Sequence, residues 1–231
     1  MGVLSENTIM GASQTEAVAT LSFTSSVTWY PDIFDGESTT QNVTGRSFGT
    51  AASDRHILVA VATSQPITGC TIGGVTGTEI VKSTGGDDMD TTIYIASVTS
   101  GTSGTIVVTM SGSAGELHTR GGLGVYAMYG GSATASDTFT TTSTTDPMSQ
   151  DIDIPAGGVA IAITHMNKGG GIPALTWSGF TEDYELTTAN ASQTSGGGSK
   201  TSATDATITV GVDSDLGISN NGFVGASFGP A

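Results

Sequence analysis

The chain has 231 residues, with six lysines and arginines against 21 aspartates and glutamates and a net charge of −15. This charge repels a phosphate backbone, which excludes direct binding of nucleic acid. The longest apolar runs, 57–62 and 159–163, are far shorter than the roughly 20 residues of a membrane-spanning helix, so no membrane partner is expected. The first residues lack the basic and apolar segments of a signal peptide, so we expect synthesis in a cytoplasm.

The composition favours strands over helices. The chain holds 39 threonines, 27 serines and 34 glycines, while 36% of its residues are hydrophobic. Threonine and glycine both disfavour helix, and the apolar fraction is sufficient for a core. The single cysteine, Cys70, cannot form an internal disulfide.

Residues 1–16 show neither a helical nor a strand period. They carry isolated apolar side chains, namely Val3, Leu4, Ile9 and Met10. One interpretation is an extended N-terminal arm that packs on a partner or a neighbouring subunit through these side chains. The alternative is a frayed terminus.

Beyond residue 16 the pattern is that of an all-β domain, because short apolar or alternating runs are separated by turn residues. The predicted strands are 18–24, 43–48, 56–63, 70–72, 78–81, 92–98, 105–110, 123–129, 137–142, 149–154, 158–164, 174–177, 181–187, 206–212 and 222–228. The continuous run 57–62 predicts a strand that is buried on both faces. Glycine-rich turns predict two hairpins, 70–72 with 78–81 and 92–98 with 105–110, whereas the glycine-rich segments 169–171 and 195–199 are predicted to be flexible loops.

The number and spacing of these strands predict the fold class. Many short strands without a long helical pattern are typical of a β-sandwich or jelly roll. The apolar patterns do not recur at a fixed period, which argues against a solenoid. We therefore predict an all-β, jelly-roll-like β-sandwich as a single domain over residues 17–231, preceded by the arm at 1–16.

Clustered carboxylates give metal candidates, Asp87, Asp88 and Asp90, which lie in a predicted loop. The pairs Asp151 and Asp153, Asp213 and Asp215, and Glu182 and Asp183 are candidates for ion binding or surface charge. Clustered oxygen ligands suit Ca²⁺, but the spacing of the three loop residues meets only part of the pattern of an EF-hand calcium-binding loop. The preferred interpretation is an acidic, solvated loop, with no metal and no cofactor. The three histidines show no metal-binding spacing, and no nucleophile elbow is present, so we expect the protein not to be an enzyme.

Three aromatic residues are candidates for a binding surface. Trp29 and Tyr30 lie in a segment rich in large apolar groups, and Trp177 lies in a short predicted strand. Aromatic rings stack on sugar faces and also form contacts between subunits, so these residues predict a glycan site or an interface. Packing in the core is the alternative, and for Trp177 it is the favoured one.

Several segments together resemble virion structural proteins of tailed bacteriophages, particularly those that infect marine and other α-proteobacteria. The resemblance covers most of residues 44–228 and is carried by RSFGTAASDRHILVAVATSQ, CTIGGVTGTEIV, TIYIASVTSGTSGTIVVTMSG, LGVYAMYG, PAGGVAIAIT and WSGFTEDYE. Proteins of this group are described as head decoration, head fibre or tail components. The resemblance implies a virion component made in the bacterial cytoplasm, and it implies no functional residues.

Charge and resemblance lead to one expected function and one alternative. An acidic surface fits the outside of a capsid better than a lining that faces the genome. We therefore expect a capsid decoration (cement) protein that binds the major capsid protein or other virion proteins as a homo-oligomer, with a trimer favoured by capsid symmetry. The alternative is a receptor- or glycan-binding module of a head or tail fibre.

Overall fold

The computed structural model describes residues 17–29, 39–85, 89–111, 121–168, 171, 173–187, 193–218 and 220–231. Within these residues the protein is all-β, with 17 strands and no helix. This confirms the predicted fold class.

The strands fall into two sets along the chain. The first set is β1 (Thr20–Trp29), β2 (Thr40–Ser47), β3 (Arg55–Thr63), β4 (Ile67–Ile72), β5 (Val75–Thr76), β6 (Thr78–Gly85), β7 (Met89–Ser97), β8 (Ser103–Met110) and β9 (Gly121–Tyr129). The second set is β10 (Asp137–Thr141), β11 (Met148–Ile154), β12 (Gly158–Asn167), β13 (Leu175–Ser178), β14 (Thr181–Thr187), β15 (Gln193–Ser202), β16 (Ala206–Ser214) and β17 (Asn220–Phe228).

These strands build four antiparallel sheets that stack in one order. Sheet 1 has the order β2-β8-β4-β5 and sheet 2 the order β1-β9-β3-β7-β6. Sheet 3 has the order β10-β17-β12-β15-β14 and sheet 4 the order β11-β16-β13. Three apolar layers lie between successive sheets, so sheets 2 and 3 are buried on both faces while sheets 1 and 4 each have one outer face.

Each set of strands follows the strand order of a jelly roll. With its eight strands lettered B to I, a jelly roll has one sheet in the order B-I-D-G and one in the order C-H-E-F. Strands β1-β9-β3-β7 and β2-β8-β4-β5 reproduce these two orders, with β6 added at the edge of sheet 2. Strands β10-β17-β12-β15 and β11-β16-β13 reproduce them again, and in the described residues the second set lacks a counterpart of β5. The chain therefore contains two jelly rolls in tandem.

The two jelly rolls pack through equivalent surfaces. Strand β6 contacts β10, and their equivalents in the other jelly roll, β14 and β1, also contact each other. In the same way, β7 contacts β17, and the equivalent strands β15 and β9 contact each other. The two central strands, β3 and β12, also contact each other. These reciprocal contacts give the interface approximate twofold symmetry, which is broken by the additional contacts of β6 with β17 and of β7 with β12. Sheets 2 and 3 meet across this interface. Within residues 17–231 the described strands form two sandwiches that share a buried layer. The assignment of this range to one domain stays a prediction.

The buried central strands agree with the sequence pattern. In β3, Ile57, Val59 and Val61 face sheet 1, whereas Leu58, Ala60 and Ala62 face sheet 3. A strand that is covered on both sides has no polar face, which explains its continuous apolar run.

Both predicted hairpins are wrong. Strand β4 pairs with β5 through a turn at Gly73 and Gly74, both of which have positive φ, and β6 pairs with β7 instead. Strands β7 and β8 lie in different sheets, so residues 98–102 cross from one sheet to the other. A jelly roll needs such crossings, and a short glycine-containing connection serves for them as well as for a tight hairpin.

The predicted flexible loop at 195–199 is also wrong, because this segment belongs to strand β15 inside sheet 3. Its glycines make room for aromatic side chains. A Cβ on Gly197 would lie 2.3 Å from the Tyr184 ring, and one on Gly198 would lie 3.0 Å from the Trp177 ring. The glycines therefore serve packing here rather than chain flexibility.

Candidate functional site

A buried arginine ties together the loops at one end of the first jelly roll. Arg55 is fully buried, and its guanidinium donates five hydrogen bonds of 2.7–3.1 Å to backbone carbonyls. The accepting carbonyls belong to two loops and are those of Phe48, Gly49, Val98, Ser100 and Gly101. All five donors of the side chain are thereby used, so Arg55 fixes loop geometry rather than binding an anion.

The second jelly roll joins the corresponding two loops with the opposite charge. Asp205, between β15 and β16, accepts a 2.8 Å hydrogen bond from the backbone N–H of Ala156, between β11 and β12. These loops correspond in strand order to those that Arg55 connects. The two loops are therefore joined in the first jelly roll by the cation of Arg55, which binds carbonyls, and in the second by the carboxylate of Asp205, which binds an N–H group.

Open clefts lie beside both sets of loops. A cleft of about 380 Å³ in the first jelly roll is lined mainly by hydroxyl groups and backbone, including Ser97, Thr99 and Ser103. A cleft of about 420 Å³ in the second is lined by Ser136, Asp153, Ile154, Pro155, Asp205, Ala206 and Thr207. Hydroxyls and carboxylates of this kind can hydrogen-bond to polar ligands such as sugars, and apolar groups, among them Phe48, Ile154 and Pro155, also line these clefts.

The outer face of sheet 4 is acidic and rich in hydroxyl groups. Asp151 lies opposite Thr209, and Asp153 lies opposite Thr207. Each threonine hydroxyl donates a 2.6 Å hydrogen bond to the carboxylate across the strand pair. These pairs hold the carboxylates in a regular row on an exposed surface.

The predicted metal residues do not converge in the part that is described. Asp90 is buried, forms a 2.9 Å ion pair with Lys82 and accepts a 2.8 Å hydrogen bond from the N–H of Ile67. Its carboxylate thus connects β7 to β6 and β4. Asp87 and Asp88 lie outside the described residues, and among the residues that are described no group of three or more His, Cys, Asp or Glu side chains could hold a metal ion.

Of the three aromatic candidates, Trp177 has a described side chain. It is half-buried against the apolar layer between sheets 3 and 4 and meets the Phe223 ring edge-on at 6.1 Å. Its indole N–H is buried and has no hydrogen-bond partner in the described residues. The ring therefore packs as a core side chain. Trp29 ends β1 opposite Gly121. The side chain of Trp29 and the whole of Tyr30 lie outside the described part of the structure.

A buried histidine pairs with a serine between the two jelly rolls. His165 and Ser195 are both fully buried on adjacent strands of sheet 3, and His165 Nδ1 lies 2.7 Å from Ser195 Oγ. Burial lowers the pKa of His165 to about 4, so the ring is neutral at ordinary pH. The pair is enclosed by protein, so its described role is structural.

A second polar group crosses the same interface. Asp183 sits at a bulge in β14, interacts electrostatically with Tyr126 of sheet 2 and accepts a 3.1 Å hydrogen bond from Ser199. Burial raises the pKa of Asp183 and, well above its usual value, that of Tyr126. The neighbouring Tyr184 lies against Gly124 of sheet 2 and Gly197 of sheet 3, where only glycine leaves space for its ring.

Sequence reasoning missed Arg55 as a structural element, whereas it interpreted His165 as a strand-end residue without finding its buried partner Ser195. Arg55 stands two residues before the apolar run 57–62 of β3, and His165 stands two residues after the apolar run 159–163 of β12. A charged or polar residue next to a strand buried on both faces was the available signal. The candidate arm residues Val3, Leu4, Ile9 and Met10 lie outside the described residues.

The comparisons with known proteins give no relative. No family model, no curated protein and no solved structure matches the chain. The described part of the chain also contains no helix with the length and hydropathy of a membrane span.

Proposed function

We propose that this chain is a structural protein of a tailed bacteriophage virion that decorates the outside of the capsid and stabilises the lattice of the major capsid protein. It would be made in the bacterial cytoplasm and would bind the shell as a homo-oligomer, with a trimer favoured by the symmetry of the shell. The observation that carries this proposal is the tandem jelly-roll topology, because jelly rolls recur in viral capsid proteins and in lectin domains. This step is an analogy at the level of the fold.

Surface chemistry and sequence add support. The net charge of −15 favours a position away from the packaged genome, since like charges repel. The resemblance of residues 44–228 to phage virion proteins points in the same direction. The described clefts are open, and the buried His165–Ser195 pair is closed to a substrate.

The test is the number of copies per particle, measured by quantitative mass spectrometry of purified virions against the major capsid protein. Hundreds of copies are expected for a decoration protein. A handful of copies, or a position at the tail tip, would overturn the proposal. Removing residues 1–14 should weaken binding to particles while the β-structure stays folded, and unchanged occupancy would show that the arm is dispensable.

The alternative function is recognition of a host glycan by a head or tail fibre. The clefts beside the loops favour it, because their hydroxyl and carboxylate groups can hydrogen-bond to sugars. A glycan array tests it directly. Binding that is lost on Asp205→Asn but kept in Asp213→Asn, which changes a carboxylate outside this cleft, would support it, and signal no higher than background would refute it.

A further inference from the structure

A positive charge lies directly behind one wall of the cleft in the first jelly roll, the wall formed by residues 97–100. Nε and Nη2 of the fully buried Arg55 donate hydrogen bonds of 2.7 and 2.9 Å to the carbonyls of Val98 and Ser100 in this wall. Among the described residues no carboxylate forms an ion pair with Arg55, and the adjacent Asp54 is exposed. The guanidinium is therefore a buried cation that only carbonyl dipoles stabilise.

The peptide groups of this wall turn their positive ends outward. In a trans peptide the C=O and the following N–H point in opposite directions, and the peptide bonds here are trans. Because the carbonyls of Val98 and Ser100 point at Arg55, the N–H groups of Thr99 and Gly101 point away from it, and both residues are exposed. Neither N–H donates a hydrogen bond within the part of the chain that the structure describes. Two available donors in front of a buried cation attract an anion.

The rest of the cleft suits a ligand that carries several hydroxyl groups. Its volume of about 380 Å³ lies within the range of small-molecule sites, about 300–1,000 Å³. Hydroxyl side chains line it, among them Ser97, Thr99 and Ser103, and hydroxyls can both donate to and accept from a sugar. The exposed Val75 adds an apolar contact. None of the described lining residues is charged, so no carboxylate of the lining repels an acidic ligand.

The equivalent cleft of the second jelly roll has the opposite charge. Asp153 and Asp205 line it, so carboxylates stand where the first cleft has peptide N–H groups and a buried cation. The net charge of −15 also repels anions from the molecule as a whole. Salt screens this long-range repulsion within about 8 Å, whereas only one peptide group separates Arg55 from the first cleft. The first cleft is therefore the better of the two for an acidic ligand.

We propose that the cleft of the first jelly roll binds an acidic sugar. The sugar carboxylate accepts hydrogen bonds from the N–H groups of Thr99 and Gly101, and the sugar hydroxyls bond to the hydroxyl side chains of the cleft. Arg55 does not touch the ligand, because its five donors are used, and it acts as a positioning residue that orients the peptide groups and supplies positive charge. This inference gives the alternative function a ligand class and does not depend on a place on the capsid.

The test is a titration of the isotope-labelled full-length chain with methyl glucuronide, followed by the amide signals in NMR spectra. Two ligands divide the probe into its parts, namely methyl glucoside, which lacks the carboxylate, and acetate, which lacks the sugar. Ser100→Asp adds a carboxylate to the cleft wall, and Ser100→Asn is the uncharged control of nearly equal size. Ala206→Asp adds the same charge to the cleft of the second jelly roll. Unfolding midpoints show whether each variant is folded, and the comparison of ligands needs no variant.

We expect the glucuronide to shift the amide signals of Thr99 and Gly101, and the glucoside and acetate to bind at least about tenfold more weakly. Ser100→Asp should weaken binding of the glucuronide by at least about tenfold, whereas Ser100→Asn and Ala206→Asp should bind it like the wild type. Added salt should weaken the wild-type binding.

Each contrary result overturns a stated part of the inference. Equal binding of the glucoside would refute the role of the carboxylate, and equal binding of acetate would refute the assignment to a sugar. No shift at all, shifts confined to the second cleft, or unchanged binding by Ser100→Asp would refute the site. Copy number on virions is measured separately, so failure here leaves the proposed function standing.

Discussion

Replacing Arg55 by lysine should strongly destabilise the protein. The arginine satisfies five carbonyls, whereas an ammonium group has three donors, so at least two carbonyls lose their partner. A buried acceptor left without a partner costs about 1–3 kcal/mol, which gives a loss of about 2–6 kcal/mol. This is a large share of the roughly 5–15 kcal/mol that stabilises a typical domain. Equilibrium unfolding in urea, followed by far-UV circular dichroism, measures the loss.

The matched control is Arg46→Lys. The Arg46 side chain is half-buried and makes a 3.0 Å hydrogen bond from Nε to the carbonyl of Thr44, two residues away. We expect this variant to stay within about 0.5 kcal/mol of the wild type. An Arg55→Lys loss below about 1 kcal/mol would refute the reasoning, since it would mean that the five hydrogen bonds contribute little beyond what a lysine supplies.

Three further predictions concern the buried interior. Lowering the pH from 7 to 4 should remove about 3 kcal/mol of stability through His165, because its folded pKa of about 4 lies below the unfolded value of 6.5. This contribution is complete above pH 6.5 and is lost as the pH falls through 4. Urea unfolding of His165→Met should lack this loss of stability at low pH. Gly124→Ala should cost about 1–3 kcal/mol of stability, because the added Cβ would lie 2.3 Å from the Tyr184 ring. Gly69→Ala, whose Cβ would meet open space, should leave stability unchanged. Equal melting temperatures of the two variants would contradict this prediction. Burial raises the pKa of Cys70 to about 12, so a thiol reagent at pH 8 should label it only after unfolding, and rapid labelling of the native protein would be the contrary result.

The sequence predicts the fold class well because the strands carry clear patterns. The apolar runs of β3 and β12 indicate burial on both faces, and this burial is what a four-layer stack requires. Strand partners were not predictable, because a turn sequence does not say whether the chain returns beside itself or crosses to another sheet. The segment between β7 and β8 shows this limit.

The tandem arrangement of two jelly rolls leaves no fixed repeat period in the sequence. The offset between equivalent strands falls from 117 residues, between Thr20 and Asp137, to 99 residues, between Gly121 and Asn220. Loops of different length therefore remove any fixed period while the strand order is kept. Strand β15 is a further difficulty, because its central glycines indicate a linker unless the aromatic rings that cover them are known.

The candidate site was the least predictable part. Carboxylates and aromatics were singled out by type, yet Asp90 forms an internal ion pair and Trp177 packs against Phe223. The acidic outer face of sheet 4 depends on which alternate residues point outward in three strands at once. That information comes from the pairing of the strands and not from any one segment.

Joining two jelly rolls in one chain has a consequence for how the molecule can coat a surface. A symmetric dimer of separate jelly rolls would have to present the same outer face on both sides, whereas the two halves of this chain differ, with Asp151 and Asp153 exposed on sheet 4 and the uncharged Asn42 and Thr76 exposed on sheet 1. A layer that lies with sheet 1 towards its support would expose the carboxylates of sheet 4, and these would repel the next molecule that arrives. Under the proposed function, such a coat would therefore stop growing at one layer.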